Sequence, residues 1–188
     1  MMRVGLRSLA ALRRDRGGAI LVEFALVLPI LIVILLGCFE ATRFVLLHQK
    51  LDRAASAVAD LVAQSDGITV AQVNDLFTVA EDQLSPFDLA ASGRVIVSSI
   101  TRPTAAAAGV AWQRLSSGAL SAASVVGIAG ATATLPAGLI VRTGENVIVA
   151  ETFYNYVPFF FDSFLSPAVF RHTAFNRPRL INLSTITP

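Results

Sequence analysis

The side chains of this sequence that could take part in catalysis or metal binding are few. His48 and His172 are its two histidines and Cys38 is its single cysteine, and they do not form the His/Cys/Asp spacings typical of zinc sites. Serines are frequent, but none stands in a nucleophile-elbow pattern, and no phosphate-binding glycine loop occurs. The sequence therefore predicts no catalytic residue, no metal site and no cofactor, and a protein that is not an enzyme.

Composition and charge narrow the class of protein further. Hydrophobic residues make up 54% of the 188 positions and charged residues 15%, a balance too apolar for an ordinary soluble domain. From residue 19 onward the chain has ten basic and twelve acidic residues, so the net charge of +2 comes from the N-terminus. The N-terminal charges are Arg3, Arg7, Arg13, Arg14, Arg16 and the opposing Asp15. We therefore expect no nucleic-acid partner, and some surface that faces lipid or another protein.

A long apolar run follows these basic residues. Residues 19–39, AILVEFALVLPILIVILLGCF, contain a single charge, and as a helix they would extend about 31 Å and cross a bilayer. The preceding arginines place residues 1–18 in the cytoplasm as a basic leader, and the chain after Phe39 outside the membrane. A cleaved secretory signal is the alternative, but the run is longer than a usual h-region and lacks a suitably placed small-x-small cleavage site.

Glu23 is the unusual residue of this run. A carboxylate inside an apolar helix is costly in lipid and usually has a partner or a purpose, and the natural partner would be a cation. The simpler interpretation is that Glu23 lies at the headgroup level, where the N-terminal end of the helix dipole favours an acid. The residue type and position alone leave both interpretations open.

The N-terminal region resembles a family of pilin-like proteins. Residues 14–18, RDRGG, resemble the leader junction of type IV pilins and pseudopilins. Residues 17–44, GGAILVEFALVLPILIVILLGCFEATRF, resemble the N-terminus of TadE/TadF-like minor pseudopilins of the Tad (Flp, type IVb) tight-adherence pilus. Specific motifs support this resemblance up to about residue 60, and the remainder shares only a strand-rich pattern.

The resemblance implies roles for individual residues. In that family a prepilin peptidase cuts after a glycine and leaves glutamate as the fifth residue of the mature chain; a cut between Gly18 and Ala19 would make Glu23 the fifth residue here. The family often also has an aromatic residue next, a proline within the run, and a Gly-x-x-Glu-x-x-Arg feature at its end. Those places are filled by Phe24, Pro29, Gly37, Glu40 and Arg43.

These residues suit a subunit that is stored in a membrane and later packed among helices. A new amino terminus at Ala19 would be a cation close to Glu23 of its own or a neighbouring subunit, and such a pair is stronger at low dielectric than in water. We expect Glu23 and Phe24 to set the register of assembly. Pro29 has no amide hydrogen, so it is expected to kink the helix, unless it is simply a tolerated transmembrane proline.

The helix is predicted to continue beyond the membrane through residues 40–66, because apolar residues recur there at three- and four-residue spacing until Asp66-Gly67. Residues 67–188 are predicted to form an exported head. A second helix should begin after Thr69, which forms a capping-box pattern with Gln72, and end at Ser85-Pro86. The fold class expected is α+β, a long N-terminal transmembrane helix leading into a pilin-like head with a second helix and an antiparallel sheet.

The strands of the head are predicted from short β-rich runs between Gly, Pro and Ser. The predicted strands are Arg94 to Ile100, Val110 to Leu115, Leu139 to Val141, Asn146 to Val157 and Thr173 to Leu180. Residues 116–138 are rich in Ala, Ser and Gly and are predicted to be a long loop, with strand fragments at Val125 to Ile128 and Thr132 to Leu135 as an open alternative.

An aromatic cluster follows the longest predicted strand. Phe159, Phe160 and Phe161 are consecutive, so they cannot all point into the core from one strand. Core packing accounts for most such clusters, and an exposed remainder would suit contact with another subunit or with the membrane surface. We therefore treat these three residues as a candidate subunit contact.

The function expected is that of a minor pseudopilin in a Tad-type pilus, processed by a prepilin peptidase and acting in pilus biogenesis and surface adherence. Its expected partners are that peptidase, other Tad subunits, the inner-membrane assembly platform and lipid, and its expected location is the bacterial inner membrane, crossed once. The alternative is a permanently anchored envelope protein with an exported binding domain. A membrane-tethered serine hydrolase ranks third.

Overall fold

The computed structural model describes residues 17–188, so the arginine-rich part of the predicted leader lies outside the described residues. Three helices and four strands are present in this range. They are α1 (Gly17–Ala63), α2 (Val70–Leu84), α3 (Leu89–Ser92), β1 (Gly93–Thr101), β2 (Gly109–Leu115), β3 (Asn146–Tyr156) and β4 (Ala168–Asn176). The chain divides into two compact units, one up to Arg43 and one comprising Phe44–Pro188. We call this second unit the head from here on; it includes residues 44–66 in addition to the predicted exported head of residues 67–188.

The two long helices confirm the sequence prediction closely. Helix α1 ends at Ala63, slightly before the predicted end, and Gly67 with φ of 88° provides the turn that follows. Helix α2 begins with the predicted capping box. The Thr69 hydroxyl accepts a hydrogen bond from the Gln72 amide at 3.1 Å, and the Gln72 side chain accepts one from the Thr69 amide at 2.8 Å.

The strands form one antiparallel sheet in the order β2-β1-β3-β4. The predicted α+β class with an antiparallel sheet is therefore confirmed. Strand β3 is central and long, and it pairs along its length with β1 on one side and β4 on the other. Residues 116–138 contain no strand, as expected for the predicted long loop, and Thr132 makes only an isolated bridge to Gly109.

Two strand predictions were wrong, one in the existence of the strand and the other in its bounds. Leu139 to Val141 is not a strand: Gly138 and Gly144 adopt positive φ on either side, and Val141 instead packs onto the sheet as part of a small core. Strand β4 begins at Ala168 and ends at Asn176, whereas Thr173 to Leu180 was expected. It begins earlier because Ala168 pairs with Tyr156, and it ends before Pro178, which has no amide hydrogen to donate.

The head buries both faces of its sheet. Helices α1 and α2 pack on one face around a main core, and the coil of residues 116–145 covers the other face with a smaller core. The α1 residues of the main core are Leu47, Leu51, Ala54, Val58, Ala59, Val62 and Ala63. A hydrogen bond also joins the sheet to α1: the Thr152 hydroxyl on β3 donates to the buried Leu51 carbonyl at 3.0 Å.

Candidate functional site

The N-terminal part of α1 is an apolar helix surface that none of the described residues covers. Every residue from 18 to 35 is exposed, although most are Leu, Ile, Val or Phe. Among the described residues, one helix is long and apolar enough to cross a membrane, and it is this one. An apolar surface that extends all round a helix requires lipid or other helices as its surroundings.

The residues predicted for processing and register lie at the start of this helix. Gly18 and Ala19 are in the first turn of α1, and Glu23 and Phe24 follow one turn later, all exposed. Because α-helical residues four apart lie on the same face, Ala19 and Glu23 are stacked, about 5–6 Å apart at Cβ. An amino group at Ala19 would therefore be within reach of the Glu23 carboxylate of the same chain.

The residues of the other predicted motifs also lie within α1. Pro29 is inside the helix, which is assigned as continuous from Gly17 to Ala63. Gly37 is half-buried, and Glu40 is only 5% exposed. Arg43 approaches Glu40 at 3.9 Å, one turn further along. That separation is at the outer limit of an ion pair, so the direct attraction contributes little.

The head contains a histidine contact that the sequence did not predict. His48 Nδ1 lies 2.9 Å from His172 Nε2, between α1 and β4. Phe44 and Phe170 pack against the His48 ring with centroid distances of 4.5 Å each. The two histidines are 124 positions apart, and no local pattern indicates their contact.

This contact predicts that acid weakens the head. Burial, and then the neighbouring His172, lower the pKa of His48 below its ordinary value of 6.5. The native state therefore binds fewer protons than the unfolded chain between the two pKa values. Stability is full above about pH 6.5, falls as the pH drops from there toward the lowered pKa, and changes little further below it. A second proton on the pair would also break its hydrogen bond, which needs one neutral acceptor nitrogen. The carboxylate of Asp52 lies 3.8 Å from Nδ1 of His172.

The check is urea unfolding of the full chain in detergent at about pH 7.5 and about pH 5. The fluorescence of Trp112, the only tryptophan, reports on the head because its indole is buried and donates a hydrogen bond to the Leu183 carbonyl. His48→Gln should lose less stability on acidification than the native chain. Equal losses in the two proteins would show that His48 does not carry the pH dependence.

The aromatic residues at the end of β3 and after it are divided between core and surface. Phe153, Tyr154 and Tyr156 are buried, as expected for core packing. Phe159 and Phe160 are exposed, and their rings meet edge to face at 4.8 Å, while Phe161 is half-buried. The candidate contact formed by Phe159, Phe160 and Phe161 thus belongs to an exposed segment.

Comparison with known proteins gives one result, and it falls on α1. A family model described as "TadE-like protein" matches residues 18–60, a range that contains the exposed apolar helix and the first part of the head. No curated protein matches the chain, and no solved structure does. The matched range includes all the motif residues predicted on α1, from Gly18 to Arg43. The family implies other subunits of the Tad pilus as partners.

The sequence resemblance, the exposed apolar helix and the family match agree on the same segment of the chain. Over residues 18–60 the chain is therefore similar to TadE-like proteins.

Proposed function

We propose that this chain is a minor pseudopilin that acts in the assembly of a Tad-type pilus and, through that pilus, in surface adherence. A prepilin peptidase removes residues 1–18 by cutting between Gly18 and Ala19. Helix α1 crosses the inner membrane with its N-terminus in the cytoplasm, and the head is exported. The chain is a substrate of the peptidase and a structural partner of other subunits and of the assembly platform, not a catalyst.

The observation that carries this proposal is the position of Glu23 on an exposed apolar helix that matches the TadE-like family. A lone carboxylate is disfavoured in hydrocarbon, so a cationic partner would stabilise it there. The amino group freed at Ala19 is such a cation, and it would lie one helical turn from Glu23. Pairing between neighbouring subunits would fix how far one helix slides along the next. The same packing surface would also be shaped by Phe24, by the kink expected at Pro29, and by Gly37, Glu40 and Arg43.

Replacing Glu23 tests the proposal. In cells that lack the native gene, Glu23→Gln keeps the size of the side chain and removes its charge. An intramembrane polar contact is worth about 1–2 kcal/mol, so its loss should reduce the pili sheared from the cells by about tenfold. Cleavage after Gly18 should continue, as judged by mass.

Val22→Gln is the matched control, because it adds the same amide one position earlier and keeps Glu23. Its pilus yield should stay near that of the native chain. A native yield from Glu23→Gln would contradict the role of Glu23 in assembly. Normal piliation of cells that lack the whole protein would contradict the pilus function and favour a permanently anchored envelope protein with a binding domain.

A further inference from the structure

The hairpin between β3 and β4 carries an exposed apolar surface. Its residues, 157–167, are called the aromatic loop. Phe164 is 86% exposed and Phe159 68%, and Phe160 and Leu165 are also exposed. Asp162 is the only charged residue in the loop. Large apolar side chains grouped on a protein surface mark a site that contacts another protein or a membrane, because removing them from water is favourable.

The aromatic loop has a defined conformation at its tip. The amides of Phe164 and Leu165 both donate hydrogen bonds to the Phe161 carbonyl, at 3.0 and 2.7 Å. This turn holds Phe164 and Leu165 together on its outer side, and both are exposed. The apolar tip is therefore formed before any partner binds, which lowers the entropy cost of binding.

Both strands of the hairpin contact the same residue of α1, Phe44. Tyr156, the last residue of β3, lies 6.0 Å from Phe44 between ring centroids, and Phe170 on β4 lies 5.3 Å from it. Both pairs meet edge to face, an arrangement favourable for aromatic rings. The base of the aromatic loop is thus fixed beside Phe44.

The distance from this base to a membrane is limited by chain length. Phe44 follows the last residue of the apolar run, Phe39, by only five positions, and a fully extended chain of five residues spans at most about 18 Å. The headgroup region adds several ångströms to each side of the hydrocarbon core. Phe164 is six residues from Phe170, so the backbone of Phe164 can lie up to about 20 Å from that of Phe170. The aromatic loop can therefore reach the interface of the membrane that α1 enters.

We infer that the aromatic loop inserts Phe159, Phe164 and Leu165 into the lipid interface on the exported side, and so forms a second attachment of the head to the membrane. Phe and Leu are typical of the apolar face of interfacial segments. Because the loop and the membrane-spanning part of α1 belong to one chain, insertion is an intramolecular event and needs little intrinsic affinity. The inference rests on one part of the proposed function, the membrane insertion of α1.

Tryptophan fluorescence in vesicles tests this insertion. The full chain carrying Phe164→Trp is reconstituted into phosphatidylcholine vesicles with no other pilus protein, with and without lipids brominated near the top of the acyl chains. The emission of Trp112, which is buried in the core, is measured in the native chain and subtracted. We expect Phe164→Trp to emit at shorter wavelength than in water and to be strongly quenched by the brominated lipid.

Two further variants make the result decisive. Ile128→Trp probes another exposed apolar position, because Ile128 lies on the coil of the head and is 66% exposed, and it should be unquenched. Leu31→Trp lies in the apolar run and should be quenched by deeply brominated lipid. Quenched Leu31→Trp with unquenched Phe164→Trp would overturn the inference and leave the proposed anchor intact, and the loop would then be a protein contact. Unquenched Leu31→Trp would overturn the anchor and the inference together.

Discussion

Leu51→Ala is expected to lower the free energy of unfolding of the head by about 2–5 kcal/mol. Leu51 is completely buried in the main core, where α1 packs on the sheet. Its removal leaves a cavity at the point where the Thr152 hydroxyl joins β3 to the helix backbone. The measurement is urea unfolding of the full chain in detergent, followed by Trp112 fluorescence.

Leu61→Ala is the matched control for this prediction. Leu61 is also a leucine of α1 in the head, but it is 41% exposed, so its loss should cost no more than about 1 kcal/mol. Similar destabilisation by the two variants would mean that Leu51 is not in the core. The comparison therefore tests whether this segment of α1 is part of the hydrophobic core of the head.

Arg171→Met is expected to destabilise the head by about 1–3 kcal/mol, because it removes the cation beside a buried carboxylate. Glu151 on β3 is fully buried, and its Oε1 lies 3.2 Å from Arg171 Nη1. The carboxylate also accepts hydrogen bonds from the Ser124 hydroxyl and the Val125 amide. These contacts attach the coil of residues 116–145 to the sheet. The Arg171 side chain is 40% exposed, so water reduces the loss below that of a fully buried pair.

Arg177→Met is the control for the ion pair. Arg177 lies 3.6 Å from Glu145, and both side chains are partly exposed, so this pair should contribute about 0–1 kcal/mol. Urea unfolding of the two variants under the same conditions provides the comparison. If Arg171→Met were no more harmful than Arg177→Met, Glu151 would not depend on Arg171 for its stability in the core.

The parts of the fold that sequence reasoning predicted are those with a local signal. The apolar run, the periodic stripe after it and the Thr69–Gln72 capping box each depend on residues within a few positions of one another. The long β3 run is equally local. The predicted bounds of β4 were wrong because its start depends on pairing with Tyr156. The strand predicted at Leu139 to Val141 was wrong because Val141 packs on the sheet without joining it and Ile140 is exposed.

The candidate functional residues also divide into those with a local sequence signal and those that only the fold brings together. Glu23 and the motif residues of α1 could be proposed from the sequence because they lie within one short segment of it, and their roles stay predictions. The contact between His48 and His172 and the ion pair between Arg171 and Glu151 join different elements, and only the folded sheet brings them together. The exposure of Phe159 and Phe160 was left open by the sequence, because an aromatic run can be either core or surface.

The central claim is that this chain is processed and assembled as a pseudopilin, and the mass of the mature protein tests it most directly. The native protein should be purified from membranes of cells with and without the candidate prepilin peptidase, and its intact mass and N-terminal sequence determined. We predict a mature chain that begins at Ala19 when the peptidase is present and a full-length chain when it is absent. A chain that retains residues 13–18 in the presence of the peptidase would contradict the claim.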